Sequence, residues 1–284
     1  MASNWVRQGG SGKNLLTGAA SPLAIAYSPT AGRFLVTTGS VVDNGAGSTT
    51  VTVSDNIDTS GANWVVQQSP ASGSGARKSW IAYKRNCESG ITTVNCKFSN
   101  GSTQFFAIGE VSEYTGATTL GTIVDFTDLQ TGTNTAVICS GTPSQDNCLL
   151  IMSTSADDSS ASGAWASNAP WTTLAEEADT GTQTAHKSAY LVQGTAALES
   201  ETMSYDVGNV PHLAAMMAFR DSSNDTPIGT SASVNNNDAS MASVFIMPGA
   251  GFIPLLRKSG TALQRIIEQA MGLKSNINST KTWW

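Results

Sequence analysis

The chain is short of charge. Charged residues fill 13% of its 284 positions, against about a quarter in an average soluble protein. Ser, Thr, Asn and 27 Gly take the polar positions instead. Uncharged polar residues suit exposed strand faces and turns, where they bond to nearby backbone. This composition argues against a helical enzyme with a Glu- and Lys-rich surface and favours β-structure.

Three further absences narrow the range of partners. No run of Lys or Arg occurs and the net charge is −6, so nothing would neutralise the phosphates of a nucleic acid. No apolar run approaches the roughly 18 residues that cross a bilayer. The first residues, 1–5, lack a basic segment followed by an apolar one, so we expect no secretory signal. We expect neither nucleic acid nor membrane as a partner.

Cysteine is also rare, with four residues that form two pairs in the sequence, Cys87/Cys96 and Cys139/Cys148. No CxxC or Cys/His spacing is present, so we expect no metal site and no cofactor. Cys139 and Cys148 flank a turn-rich stretch that a disulfide would close. Four ordinary buried thiols are the alternative, and folding in a reducing cytoplasm favours it.

Short β-type runs separated by turn residues fill most of the chain between residues 20 and 220, and no helical periodicity interrupts them. Many short strands at even spacing predict an all-β fold, a two-sheet antiparallel β-sandwich that is jelly-roll-like. The last run has a short helix as its alternative, because Leu, Ala and Met favour helices. The predicted strands cover 22–27, 33–42, 50–53, 63–67, 79–85, 94–98, 105–111, 136–139, 148–152, 189–192, 203–207 and 212–219.

Three segments follow from these patterns: an N-terminal arm over 1–20, the β-sandwich over 21–221, and a C-terminal extension over 222–284. The extension holds a linker, an apolar segment broken by Gly and Pro, and a short amphipathic helix over 261–271. A helix of about three turns is marginal alone, so it must pack on something. The predicted partner-anchoring residues are Phe252, Leu263, Ile266, Ile267, Met271, Trp283 and Trp284.

Catalytic groups are hard to assemble from this sequence. Neither His186 nor His212 has a nucleophile in a recognisable elbow, so a packing or surface role is expected for both. Glu110 and Glu113 have the odd spacing that places them on opposite faces of a strand, which argues against a glycosidase pair. The acidic group at 176–179 is interpreted as a solvated loop. We therefore predict that the chain is not an enzyme.

Two other polar groups have a functional and a structural interpretation. Asp55 and Asp58, and the pair at 157–158, fit turns better than calcium loops, because no alternating ligand pattern is present. Trp165 and Trp171 lie in a Ser/Ala/Asn/Pro stretch. As exposed aromatic side chains they would bind a ligand by stacking on sugars or partner surfaces. The alternative is that they cover one end of the sandwich.

The stretch 29–219 resembles a β-sandwich module of phage and bacterial surface proteins. The shared order runs from the Ala-Gly and apolar strand at 31–36 to the Val-Ser-Asp at 53–55 and the Asn-Trp at 63–64. It continues through the aromatic strand at 80–83, the central strand that ends at 113–116, and the closing strand at 214–219. The resemblance implies a concanavalin-like or jelly-roll sandwich displayed on a surface. It does not extend to the segment after residue 221.

A β-rich chain of this composition without a secretory signal fits a virion protein, which is made in the host cytoplasm and leaves by lysis. We expect a structural protein of a tailed-phage virion, displayed on capsid or tail as a decoration or fibre-type subunit. Its terminal arms would anchor it to other virion proteins and to copies of itself. A carbohydrate-binding module that recognises a host-surface glycan is the alternative.

Overall fold

The computed structural model describes residues 3–43, 49–70, 76–99, 103–117, 122–134, 136–157, 170–179, 184–204 and 210–222. The all-β prediction is confirmed in this part of the chain, which holds fifteen strands. They are β1 Val6–Ala20, β2 Leu23–Ala26, β3 Phe34–Asp43, β4 Val51–Asp55, β5 Trp64–Gln68, β6 Ala76–Lys84, β7 Thr93–Phe98, β8 Thr103–Thr115, β9 Val124–Asn134, β10 Ala136–Gly141, β11 Leu149–Asp157, β12 Thr172–Asp179, β13 Thr184–Val192, β14 Glu199–Ser204 and β15 Val210–Phe219.

The chain divides into two compact units, Met1–Asp225 and Thr226–Trp284. The second unit lies outside the described residues, and so do the predicted helix over 261–271 and all seven partner-anchoring residues. Within the first unit one expectation changes and one is confirmed. Most of the expected N-terminal arm is β1, which pairs with β8 in a main sheet. Segment 212–219, with a helix as its alternative, is strand β15.

Four antiparallel sheets, rather than the two expected, make up the described residues. A five-stranded sheet in the order β1-β8-β3-β6-β5 faces a three-stranded sheet in the order β2-β7-β4. A second five-stranded sheet runs β9-β15-β11-β13-β12, and β10 pairs with β14 beside it. Strands β1, β2, β3, β5, β6, β7 and β8 correspond in chain order to β9–β15, and corresponding strands have corresponding neighbours in their sheets. The structure is therefore a tandem repeat, repeat 1 over 6–115 and repeat 2 over 124–219, and β4 has no counterpart among the described residues of repeat 2.

The strand registers match the repeats residue by residue. Phe34 lies opposite Tyr114 in repeat 1, and Leu149 lies opposite Phe219 in repeat 2. On the neighbouring strands Leu35 pairs with Lys84, and Leu150 pairs with Leu191. Left-handed residues precede both central strands at the same distance: Gly32 (φ 83°) before β3 and Asn147 (φ 62°) before β11. Gly and Asn are the residues that adopt this conformation most readily.

Three large apolar cores lie between the four sheets, beside a small cluster of Val42, Phe106 and Ile108. One fills the space between the two sheets of repeat 1 and includes Leu23, Trp80 and Val94. A second does the same in repeat 2 and includes Met152 and Met203. The third lies between the large sheets of the two repeats and brings together residues such as Phe34, Ile151 and Phe219. Alternate residues of each large-sheet strand face opposite cores, because side chains alternate along a strand.

The face between the repeats has approximate two-fold symmetry. The rings of Tyr83 and Phe219 meet edge to face with centroids 5.2 Å apart. The equivalent residues, Tyr190 and Tyr114, make the same kind of contact at 6.0 Å. Edge-to-face pairs of this kind add stabilisation beyond the area they bury. The repeats therefore pack like two copies of one module.

The first described residues and the last lie side by side. The Asp221 carboxylate accepts hydrogen bonds from Ser3 Oγ (2.8 Å), Asn4 N (2.7 Å) and Trp5 N (3.1 Å). Ser222 N donates to the carbonyl of Gly116, in the connection between the repeats, at 2.6 Å. We call residues 3–5, 116–117 and 221–222 the clasp. It ties both ends of the repeat pair and the connection between them at one point.

Candidate functional site

A buried charge network lies in repeat 1. Asp55 Oδ2 accepts from Lys84 Nζ (2.7 Å) and Trp64 Nε1 (2.9 Å), and Asp55 and Lys84 are 0% and 1% exposed. Asp55 Oδ1 accepts from the backbone N–H of Ile57 (2.9 Å) and Asp58 (2.7 Å). A buried carboxylate needs such partners, since an unpaired charge is costly to bury. The network fixes the turn after β4, as the turn interpretation predicted.

The titration of this pair follows from its contacts. Burial alone would raise the pKa of Asp55, but the hydrogen bonds from Lys84, the backbone and Trp64 hold it below the usual value. Burial opposes the charge of Lys84, and its two carboxylate neighbours, Asp55 and Glu88, more than compensate, so its pKa is raised. Both groups therefore remain charged near neutral pH and serve as a structural ion pair.

His186 lies on the face between the repeats and is fully buried. Its Nδ1 is 2.8 Å from the carbonyl oxygen of Thr154 and 2.5 Å from Ser40 Oγ, while Nε2 has no hydrogen-bond partner. Burial lowers its pKa to about 3, because the charged ring would lose its hydration and a proton on Nε2 would find no acceptor. The imidazole is neutral and joins the two repeats, so it fills the packing role that the sequence predicted.

Glu110 and Glu113 point to opposite faces of β8, as their spacing predicted. Glu110 faces repeat 2, where Ser188 Oγ donates to it at 3.4 Å and the Arg7 guanidinium lies 3.7 Å away. Glu113 accepts from the backbone N–H of Thr30 at 2.9 Å on the other face. The two carboxylates do not form a pair across a shared site, so they lack the arrangement of a glycosidase.

The acidic group at 176–179 is not a loop, and this prediction was wrong. Its residues belong to β12, an edge strand of the repeat 2 sheet. Glu176 pairs with Lys187 at 3.3 Å and Glu177 with Lys13 of repeat 1. Charged side chains on an edge strand discourage pairing with other chains.

Trp171 does not fit the predicted stacking surface. It is 8% exposed and packs in the core of repeat 2, and it directly precedes β12. Trp64 begins β5, the equivalent strand, and is 6% exposed in the core of repeat 1. The two tryptophans are thus the same core position of the module. Trp165 lies outside the described residues.

Cys139 and Cys148 are free, buried thiols, so the disulfide alternative is wrong and the alternative of buried thiols is correct. Cys139 packs from β10 and Cys148 precedes β11, both in the core of repeat 2. Hydrogen bonds secure the turn between them instead: the Asp125 carboxylate accepts from the backbone and the hydroxyl of Ser144, at 2.5 Å each. Burial raises the pKa of both thiols, which keeps them protonated and unreactive.

An open cleft of about 500 Å³ lies at the β5 side of repeat 1, near the connection to repeat 2. Sequence reasoning missed it, because its residues come from three separate segments and form no motif. Amide, charged and hydroxyl side chains stand beside an aromatic ring and two aliphatic ones. The lining residues are Asn63, Val65, Tyr83, Arg85, Asn86, Glu88, Thr122 and Ile123.

The described residues hold neither a metal-binding cluster nor a membrane-spanning helix. Within these ranges no group of three or more His, Cys, Asp or Glu is placed to hold a metal ion. The same residues contain no helix with the length and hydrophobicity to cross a bilayer.

No protein-family model matches the chain, and neither a curated protein nor a solved structure is significantly similar to it.

Proposed function

We propose that the chain is a non-enzymatic structural protein of a phage virion, displayed on the capsid or tail as a decoration or fibre-type subunit. The strand order carries the proposal. In repeat 1 the strands β1, β8, β3 and β6 are successive neighbours in one sheet, and β2 and β7 are neighbours in the other. Repeat 2 has the same arrangement with β9, β15, β11 and β13 in one sheet and β10 and β14 in the other. This arrangement resembles a jelly roll, an architecture that viral capsid and lectin domains use, although β5 and β12 lie in the larger sheets. Because one fold serves many functions, the order supports the role without defining it.

The clasp supports anchoring through a terminal extension. Asn4 Nδ2 donates to Ser222 Oγ at 3.1 Å, so the last described residue lies beside the first ones. The chain that continues past Ser222 therefore starts beside the N-terminal residues. An arm that leaves there would hold the repeat pair at one point and leave the outer sheets free for display.

The buried polar groups support a structural role. Asp55 and Lys84 hold a turn, His186 links the two repeats, and Asp221 closes the clasp. Each group is already engaged in holding one segment to another. A side chain with such a role is a poor candidate for a reacting group, because catalysis needs it to reach a substrate.

Purified particles test the proposal. Full-length protein produced during infection should band with the particles in a density gradient and be quantified there by mass spectrometry. Ile267→Asp, on the apolar stripe of the predicted helix, should reduce incorporation at least tenfold. Gln269→Asp, off that stripe, should incorporate normally. Protein that stays entirely in the soluble fraction would refute the virion role, and equal incorporation of both variants would refute anchoring by the helix.

A carbohydrate-binding role on the same particle is the second candidate. Lectin domains share the jelly-roll architecture, and the particle would then use this protein to recognise a host-surface glycan. The burial of Trp171 removes one of the two aromatic residues on which that interpretation rested. The role therefore needs a different site.

A further inference from the structure

The cleft is lined by residues that include Asn63, Tyr83, Arg85, Glu88 and Thr122. Most of these residues belong to repeat 1, so they can be compared with the equivalent residues of repeat 2. Since both repeats build the same module, a residue that the fold itself requires should recur in both. Tyr83 recurs as Tyr190, each within an Ala-Tyr pair of equivalent strands. It packs between the repeats, so it belongs to the fold.

Four polar residues of the cleft have different, uncharged residues at the equivalent positions of repeat 2. Counted from the shared Ala-Tyr pair, Arg85, Asn86 and Glu88 correspond to Val192, Gln193 and Thr195. Counted from the shared tryptophan, Asn63 corresponds to Pro170. The module thus forms its strands with uncharged residues at these positions, and the charged pair Arg85 and Glu88 is particular to repeat 1.

The backbone at the cleft is also unusual. Asn86 has a φ of 52°, and no positive φ is recorded at its counterpart in repeat 2. A left-handed non-glycine residue carries a small energetic cost, and such residues concentrate at functional sites. Here the conformation occurs at an exposed residue on the rim of the cleft.

The chemistry of the lining defines a class of ligand. Asn63 and Asn86 offer both donors and acceptors, Thr122 offers a hydroxyl, and Val65 and Ile123 form an apolar wall. Arg85 and Glu88 contribute one charge of each sign, so neither an anion nor a cation is favoured overall. The volume of about 500 Å³ falls within the range of small-ligand sites, roughly 300–1,000 Å³.

We propose that this cleft binds a neutral saccharide, whose hydroxyl groups are donors and acceptors and whose ring faces are apolar. The site does not depend on the virion role, since a glycan-binding module can stand on a particle or alone. It replaces the Trp165/Trp171 surface as the position at which this chain would contact a glycan.

A printed array of neutral and acidic oligosaccharides probes the full-length protein, followed by calorimetry on the best neutral binder. The substitution Arg85→Val introduces the residue type found at the equivalent position of repeat 2, Val192, and should weaken binding at least tenfold. Thr122→Phe, on the opposite wall at an exposed position, should block the cleft and weaken it similarly. Lys97→Val, on the exposed face of β7, is the matched control and should bind as the unchanged protein does.

Three results would overturn the site: no neutral oligosaccharide bound on the array, binding restricted to charged glycans, or binding that both cleft variants leave unchanged. Thermal unfolding accompanies each variant. If Arg85→Val lowers the melting temperature, Thr122→Phe decides the outcome. Normal incorporation of Arg85→Val into particles would separate failure of this site from failure of the virion role.

Discussion

At the scale of single residues, the Asp55–Lys84 pair shows how buried charge serves the fold. Repeat 2 has Leu191 where repeat 1 has Lys84, so the module does not need a cation there. Asp55 creates the need: its carboxylate is 0% exposed and ties β4 and its turn to Trp64 and Lys84. The lysine is thus a partner of the aspartate rather than a requirement of the strand.

Lys84→Leu should lower the free energy of unfolding by about 3–5 kcal/mol, because it leaves a buried carboxylate without its ion-pair partner. Lys84→Leu combined with Asp55→Asn should be more stable than Lys84→Leu alone, since the amide is neutral. Lys97→Leu, at an exposed position of β7, should change stability by less than about 0.5 kcal/mol. Urea unfolding of the four proteins measures this. A double variant no more stable than Lys84→Leu would contradict the assignment.

The buried His186 predicts how stability depends on pH. Its pKa is about 3 in the folded protein and about 6.5 in an unfolded chain, so the unfolded state binds the proton more readily. Stability is therefore complete above pH 6.5 and falls as the pH drops from 6.5 towards 3. The loss at pH 5 should be about 2 kcal/mol.

His186→Gln is the test, because the amide can still donate to the Thr154 carbonyl but does not titrate. Its unfolding free energy should change less between pH 7 and pH 5 than that of the unchanged protein. The low pKa of Asp55 acts only in more acidic solution, since its contribution is lost as the pH falls through a value below 3.8. Identical profiles for the two proteins would rule out His186 as the source.

At the scale of strands, every interior strand of the two large sheets was predicted, whereas three of their four edge strands were missed and only β5 was predicted. The segments predicted at 33–42, 79–85 and 105–111 lie largely within β3, β6 and β8, interior strands whose two apolar faces leave a clear signal. β1, β9 and β12 were missed, and all three are edges of the large sheets. An edge strand is partly solvated and follows its partner's register, so its sequence carries little hydrophobic periodicity.

Close contact between strands in repeat 1 depends on Gly39. A Cβ at this position would lie 2.2 Å from Cζ2 of Trp80 and 2.3 Å from the carbonyl oxygen of Ile108. Gly39→Ala should lower the free energy of unfolding by about 3 kcal/mol, since overfilling a packed core forces strands apart. Gly194→Ala is the control, because nothing lies within 4 Å of its added Cβ. Equal melting temperatures for the two variants would contradict this packing.

At the scale of the whole molecule, the tandem repeat is the feature that the sequence concealed. Few residues are identical in the two repeats. Among them are the tryptophan at the start of β5 or just before β12 and the Ala-Tyr pair of β6 and β13. Those two signals, at Trp64/Trp171 and 82–83/189–190, lie at equal separation and would have identified the repeat. The candidate cleft had no such signal, because its lining residues, apart from Tyr83, differ from their counterparts in repeat 2 or have none there.

The symmetric face and the clasp hold the two repeats together, and we propose that the clasp end is where the protein attaches. The Tyr83–Phe219 and Tyr190–Tyr114 contacts hold the repeats together, and the Asp221 carboxylate holds the ends. An attachment through the clasp end would leave both outer sheets accessible.

Electron cryo-microscopy of purified phage particles tests this central claim most directly. The account predicts repeated copies of a body of four stacked β-sheets on the capsid or tail, each joined to the particle at the end where Ser3 and Ser222 lie. Particles without this body, or a body attached through its outer sheets with the clasp end in solvent, would contradict it.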